Sequence, residues 1–210
     1  MWNPRPPDDE WRRTARRALL GTDEAPGSVV LTPMGRLFRA ITRQHTVRTD
    51  GWLTTGTFGA ATVVWTPQGQ PVADALAALE PGSHVTFVGL CGSLRRHPLG
   101  SAVAIDAAVG ADGRRHHPRL GFASAVTHAT NAQVTSLLEA EQRHAELTGL
   151  ADTVDMETAT VLACAEAFGL ASRALLLVSD HNRSPSPFTA PPHPMEEALR
   201  RLPYVLDRLL

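Results

Sequence analysis

Residues 155–180, DMETATVLACAEAFGLASRALLLVSD, read as a helix running into a buried strand. Over 155–168 the apolar positions Ala159, Leu162, Ala163 and Ala167 share one face, the spacing of an amphipathic helix, and Gly169 stops it. Residues 174–178 are then continuously apolar, as in a strand covered on both faces. The run ends at the polar pair Ser179-Asp180. Helices alternating with such strands build a parallel sheet, and ligands of these sheets sit at the carboxyl ends of the strands. Ser179-Asp180, and Gly89–Gly92 at the end of another strand, are therefore the first places to look for a site.

The same rhythm extends in both directions. Upstream, 10–20 read as a helix closed by Gly21, and 28–31 as a short strand followed by a helix over 35–42. Two strands, 52–57 and 61–65, flank the turn Phe58-Gly59-Ala60, and a helix over 70–79 stops at Pro81-Gly82. Residues 85–88 form a strand running into a turn at Gly89, Leu90, Cys91 and Gly92; 102–109 form another, ending at the turn Asp112-Gly113. A helix is expected over 131–148. Downstream, 184–194 hold five prolines and read as a loop, and 195–210 as an amphipathic helix. The expected fold class is α/β, a mixed, mostly parallel central sheet flanked by helices over residues 28–210, with 1–27 as an amino-terminal extension.

Composition bounds the function. With 210 residues, 43% hydrophobic, the chain can bury one substantial core, a domain typically taking roughly 150 residues. Twenty basic against 21 acidic side chains give a net charge of −1, so no global field attracts nucleic acid or a membrane surface. Anion binding has to come from placed arginines. Cys91 and Cys164 lie in apolar surroundings without CxxC spacing and read as free thiols of a reducing compartment. The histidines have no HExxH-type spacing, so neither a metal nor a cofactor is expected. No apolar run approaches the roughly 20 residues needed to span a bilayer, and the amino terminus has no secretory h-region. The expected location is cytoplasmic.

Two acidic groups stand where chemistry is expected: Glu157 in Val154-Asp155-Met156-Glu157, and Asp180 in Val178-Ser179-Asp180-His181-Asn182-Arg183. A carboxylate can accept both hydroxyls of a ribose, and a second carboxyl group can protonate a departing base. Singly, each has a plainer reading, as a helix-dipole partner or a turn former. Together, and in this order, the two segments resemble the nucleoside phosphorylase family, within it the bacterial hexameric purine nucleoside phosphorylases.

The resemblance continues upstream through Thr55-Gly56-Thr57-Phe58-Gly59, Gly69-Gln70-Pro71, residues 88–94 (VGLCGSL) and residues 107–113 (AAVGADG). It implies that Glu157 holds the ribose hydroxyls, Met156 packs on the sugar and Asp180 protonates the base. Asp155, Ser179, Gly89, Cys91 and Gly92 would contribute to substrate binding. Arg36, Arg48 and Arg183 are the candidates for phosphate or the nucleophile, Arg48 reaching a neighbouring subunit's site. The resemblance thus implies a homo-oligomer, a small-molecule nucleoside with or without phosphate, and a nucleosidase or nucleoside phosphorylase (pentosyltransferase) activity.

The sequence also departs from the family. Thr32-Pro33-Met34 stands where it has Gly-Asp-Pro, and Phe87 and Leu90 stand where the phosphorylases have Arg and Ser. Two phosphate donors are thus replaced by apolar groups. The stretch between Gly113 and Asp155, which shapes the base pocket in the family, is short. Hydrolysis is therefore slightly favoured over phosphorolysis, with a non-cleaving nucleoside-binding or recruited specialised-pathway protein as the third reading.

Overall fold

The computed structural model describes residues 3–43, 46–122, 126–182 and 188–209. The elements run α1 (Asp9–Leu20), β1 (Ser28–Thr32), α2 (Gly35–Thr42), β2 (Val47–Arg48), β3 (Thr54–Phe58), β4 (Ala61–Trp65), α3 (Val72–Ala77) and β5 (His84–Ser93). Next come β6 (Ala102–Val109), β7 (Arg115–His116), β8 (Thr127–Gln133), α4 (Leu137–Gln142), α5 (His144–Leu150) and β9 (Thr153–Asp155). The chain ends in α6 (Thr158–Ala167), β10 (Ala171–Asp180) and α7 (Pro192–Leu209).

One mixed sheet in the order β10-β6-β8-β9-β5-β1-β4-β3-β2 organises the chain. Its longest pairings, β5 with β10 and β6 with β8, are parallel. β5 also pairs with β9 at Gly92 and Ser93, so β10, β6, β8, β9 and β5 close into a ring. The apolar run of β10 serves two cores through its two-residue period. Leu176 and Val178 join a cluster with α1, α3 and α6, while Leu175 and Leu177 join Val30, Val88, α2 and α7 on the opposite face. β1 divides likewise, Val29 and Leu31 against Val30. The amino-terminal helix shares the first core through Ala15 and Leu20, and its Arg16 donates to the Ala78 carbonyl beside α3.

Three local expectations are corrected. Residues 131–148 are not one helix: Asn131, Ala132 and Gln133 belong to β8, which lies parallel between β6 and β9, and only α4 and α5 are helical beyond it. Those strand pairs form with partners distant in sequence, so local helix propensity loses to tertiary pairing. Gly89, Leu90, Cys91 and Gly92 are not a turn; they continue β5 alongside β10. Glycine there serves close packing, since a Cβ on Gly89 would lie 2.9 Å from the Phe87 ring and 3.0 Å from Leu176. Asp155 ends strand β9 rather than opening a helix, and α6 begins at Thr158.

Candidate active site

Strands that carry or lead into several candidate residues meet at the carboxyl end of β5. Gly92 pairs with Val154 of β9 on one side and with Asp180 of β10 on the other. A Cβ there would lie 2.9 Å from Asp180 Oδ1 and 3.3 Å from Val154, so only glycine lets the two strand ends come this close. The buried Cys91 thiol beside it is pushed well above its ordinary pKa, by burial first and then by the negative charges of Asp155 and Asp180. It is therefore a packed, protonated thiol rather than a nucleophile.

Asp155 and Glu157 differ sharply in their surroundings. Asp155 Oδ1 accepts from Asn131 Nδ2 at 2.7 Å, and Oδ2 accepts from Thr158 N at 3.1 Å and from the Thr158 hydroxyl. Both oxygens are thus committed inside the protein. Burial, and next the neighbouring charge of Glu157, push its pKa from 3.8 to about 7. Glu157 Oε1 accepts from Gly69 N at 2.7 Å across the gap between the loop after β4 and the start of α6. Burial raises its pKa too, with the backbone N–H groups of Gly69 and Met156 pulling against that rise. Neither carboxylate forms an ion pair among the described residues.

Asp180 is 4% exposed and likewise lacks a cation partner among the described residues. Its Oδ1 accepts from Asn182 N at 2.7 Å and its Oδ2 from Ser179 Oγ at 2.7 Å. Ser179 Oγ also stands 3.2 Å from the Cys91 carbonyl, so its single proton has two acceptors to choose between. Met156 is half-buried against a third apolar cluster, formed by Leu94, Ala132, Val134, Ala140, Leu147, Ala151 and Val154. That cluster sets α4 and α5 over this end of the sheet.

The arginine candidates divide. Arg36 is exposed in the first turn of α2, beyond the carboxyl end of β1. Among the described residues it has no hydrogen-bond or ion-pair partner. Nearby, Gln68 Nε2 donates to Met34 Sδ at 2.9 Å, joining the loop after β1 to the one that carries Gly69. Arg48 is paired with Asp50 at 2.7 Å and lines a different cavity with Gly27, Thr46 and Thr62, which holds neither Glu157 nor Asp180. Within one chain it does not reach the site. Arg183 lies outside the described residues. Phe87 is fully buried in the core, and Leu90 packs against the cluster of Val88 and Leu177.

Sequence reading missed Gly69, Asn131, Asn182 and His144. Asn131 lay in a stretch taken for helix, and Gly69 acts through its backbone, which leaves no side-chain signal. Asn182 stood inside a quoted motif, but its bonds to Ala140 O at 3.1 Å and His144 Nδ1 at 2.9 Å come from helices about forty residues away.

This arrangement has relatives. Residues 122–210, which include Asp155, Glu157 and Asp180, match the family model of the phosphorylase superfamily. The chain has the nucleoside phosphorylase fold. Futalosine hydrolase of Helicobacter pylori, solved as a mutant, superposes with a TM-score of 0.71 at 13% identity, over 86% of this chain and 96% of that one. AMP nucleosidase from Bacteroides thetaiotaomicron gives 0.70 at 17% identity, over 94% and 96%. Uridine phosphorylase from Vibrio fischeri gives 0.69 at 14%, over 89% and 93%. A futalosine hydrolase, an AMP nucleosidase and a uridine phosphorylase thus share this fold at nearly equal similarity. No curated protein matches the sequence. No helix among the described residues is long and apolar enough to cross a membrane.

Proposed function

We propose that the protein cleaves the N-glycosidic bond of a purine-type or 5′-modified nucleoside, with water as the acceptor. The observation that carries this is the placement of Gly92 between β9, which leads into Glu157, and Asp180 at the end of β10. In this reading Glu157 accepts the ribose hydroxyls while Gly69 N–H holds its other face. Asp180, protonated on Oδ2, gives its proton to a ring nitrogen of the base as the bond to the anomeric carbon breaks and its electron pair passes to the base. Ser179 accepts from Oδ2 before transfer, its own proton then turned to the Cys91 carbonyl, and donates to Oδ2 afterwards. Water adds to the anomeric carbon, and its proton restores Asp180.

Hydrolysis is supported by the burial of Phe87 and the apolar contacts of Leu90, which leave no donor for phosphate where the resembled family has Arg and Ser. One observation favours phosphorolysis instead: Arg36 is exposed and unpartnered among the described residues, at the same end of the sheet. A panel of nucleosides incubated with and without phosphate separates the two readings, with free ribose scored against ribose 1-phosphate. Free ribose in phosphate-free buffer is the expected product. Base release that strictly requires phosphate rejects hydrolysis, and binding without any cleavage rejects both. We further propose that the protein works as a cytoplasmic homo-oligomer, because Arg48 could reach a site only across a subunit boundary. Light scattering that gives a monomer would remove that role.

A further inference from the structure

Asn182 is the second residue beyond β10 and 5% exposed, with a backbone φ of 62°, in the left-handed region that few residues other than glycine adopt but that asparagine tolerates. That conformation turns its N–H back onto Asp180 Oδ1 at 2.7 Å. Its side-chain amide points the other way. Nδ2 donates one hydrogen to the Ala140 carbonyl at 3.1 Å and the other to His144 Nδ1 at 2.9 Å. Ala140 lies among the last four residues of α4, whose carbonyls have no partner inside the helix, so the amide closes that helix end. The Ala140 carbonyl can only accept, which fixes the amide's orientation. His144 therefore accepts at Nδ1 and carries its proton on Nε2.

We propose that Asn182 is a positioning residue for Asp180, tying its carboxyl group to the α4–α5 cover and deciding which oxygen bears the transferable proton. With Oδ1 held as an acceptor by a backbone N–H, protonation falls on Oδ2, the oxygen beside Ser179. Both ends of the residue are buried and bonded, so the carboxyl plane is fixed against α4 and α5. The same two helices pack on Met156 through the cluster around Leu147, so the acid and the sugar-side residue share one support. The role of Asn182 rests on the reading of Asp180 as the acid.

The test compares a nucleoside, whose base needs a proton to leave, with 4-nitrophenyl riboside, whose phenolate leaves without one. Asn182→Ala should lower kcat on the nucleoside by about 10- to 100-fold, as a small misplacement of a catalytic group does. KM should hold within about twofold, and aryl riboside turnover should be nearly unchanged, as expected for loss of proton transfer alone. Asn182→Gly keeps the left-handed φ and the N–H, so it should recover part of the loss and stands in if the alanine variant fails to fold. His144→Ala should cost about threefold in kcat, one neutral hydrogen bond being weak. An equal fall on both substrates would make Asn182 merely structural. If the aryl riboside is not turned over, the split between kcat and KM on the nucleoside decides. Asp180→Asn runs alongside: if it abolishes nucleoside cleavage while Asn182→Ala leaves kcat intact, the positioning role is wrong. If Asp180→Asn is itself harmless, the acid assignment falls first.

Discussion

Asp155 and Glu157 are two carboxylates two residues apart, both 6% exposed, yet their surroundings differ. Asp155, at the end of β9, is surrounded by donors: Asn131 from β8, and the N–H and hydroxyl of Thr158 from α6. Glu157 lies past the strand end, where Gly69 and its own neighbour Met156 are the donors it meets among the described residues. The strand's last residue is claimed by the sheet and the helix start, and the residue beyond it faces the gap between two loops. Burial alone therefore does not distinguish these two acids; the donors around each carboxylate do.

The strongest way to break this comparison is Glu157→Ala. If Glu157 is the ribose clamp, turnover should fall about 100-fold or more, as loss of a substrate-positioning group does, with a thermal midpoint close to wild type. Wild-type kinetics would remove the clamp. Asp155→Ala should behave in the opposite way. It strands buried donors on Asn131 and Thr158, costing about 1–3 kcal/mol in denaturant unfolding. At temperatures where the variant stays folded, it should retain nucleoside affinity. A variant as stable as wild type that fails to bind nucleoside would make Asp155 the ligand.

A pH series sharpens the contrast. Asp155 is raised from 3.8 to about 7 in the folded protein, so between those values the folded chain holds a proton that the unfolded chain has released. Its contribution to stability is complete below about pH 4 and is lost as pH rises through 7. Melting temperatures of wild type should decline over that window, and Asp155→Asn should flatten the decline. An identical slope in the variant would show that another group titrates there. The smallest expected effect belongs to Arg36→Ala, less than about twofold in phosphate-free buffer, since an exposed surface side chain contributes little. Loss of activity confined to phosphate-containing buffer would instead restore phosphorolysis.

Much of the fold was legible locally. The apolar run of β10, the stop at Gly169 and the strand pair flanking Gly59 follow from periodicity and turn chemistry, and the helices α1, α2 and α7 fall close to their expected places. β8 and β9 did not declare themselves. Thr127–Gln133 reads as polar and is stabilised by β6 and β9 on its two sides. Gly89 and Gly92 carried a turn signal that packing contradicts, because their missing Cβ makes room for Phe87 and Asp180.

What the sequence determined by itself is the inventory: an α/β chain of near-neutral charge with acidic residues 157 and 180 just beyond an apolar helix–strand framework, and apolar groups at 87 and 90. Which donors surround each acid was left to tertiary structure. Asn131, Gly69 and Asn182 reach their carboxylates over 24, 88 and 2 positions respectively, and two of the three do so through a backbone N–H that every residue except proline possesses. Composition and spacing cannot encode which of those common donors turns toward which acid. That choice follows from strand register and loop conformation, which exist only once the sheet has closed.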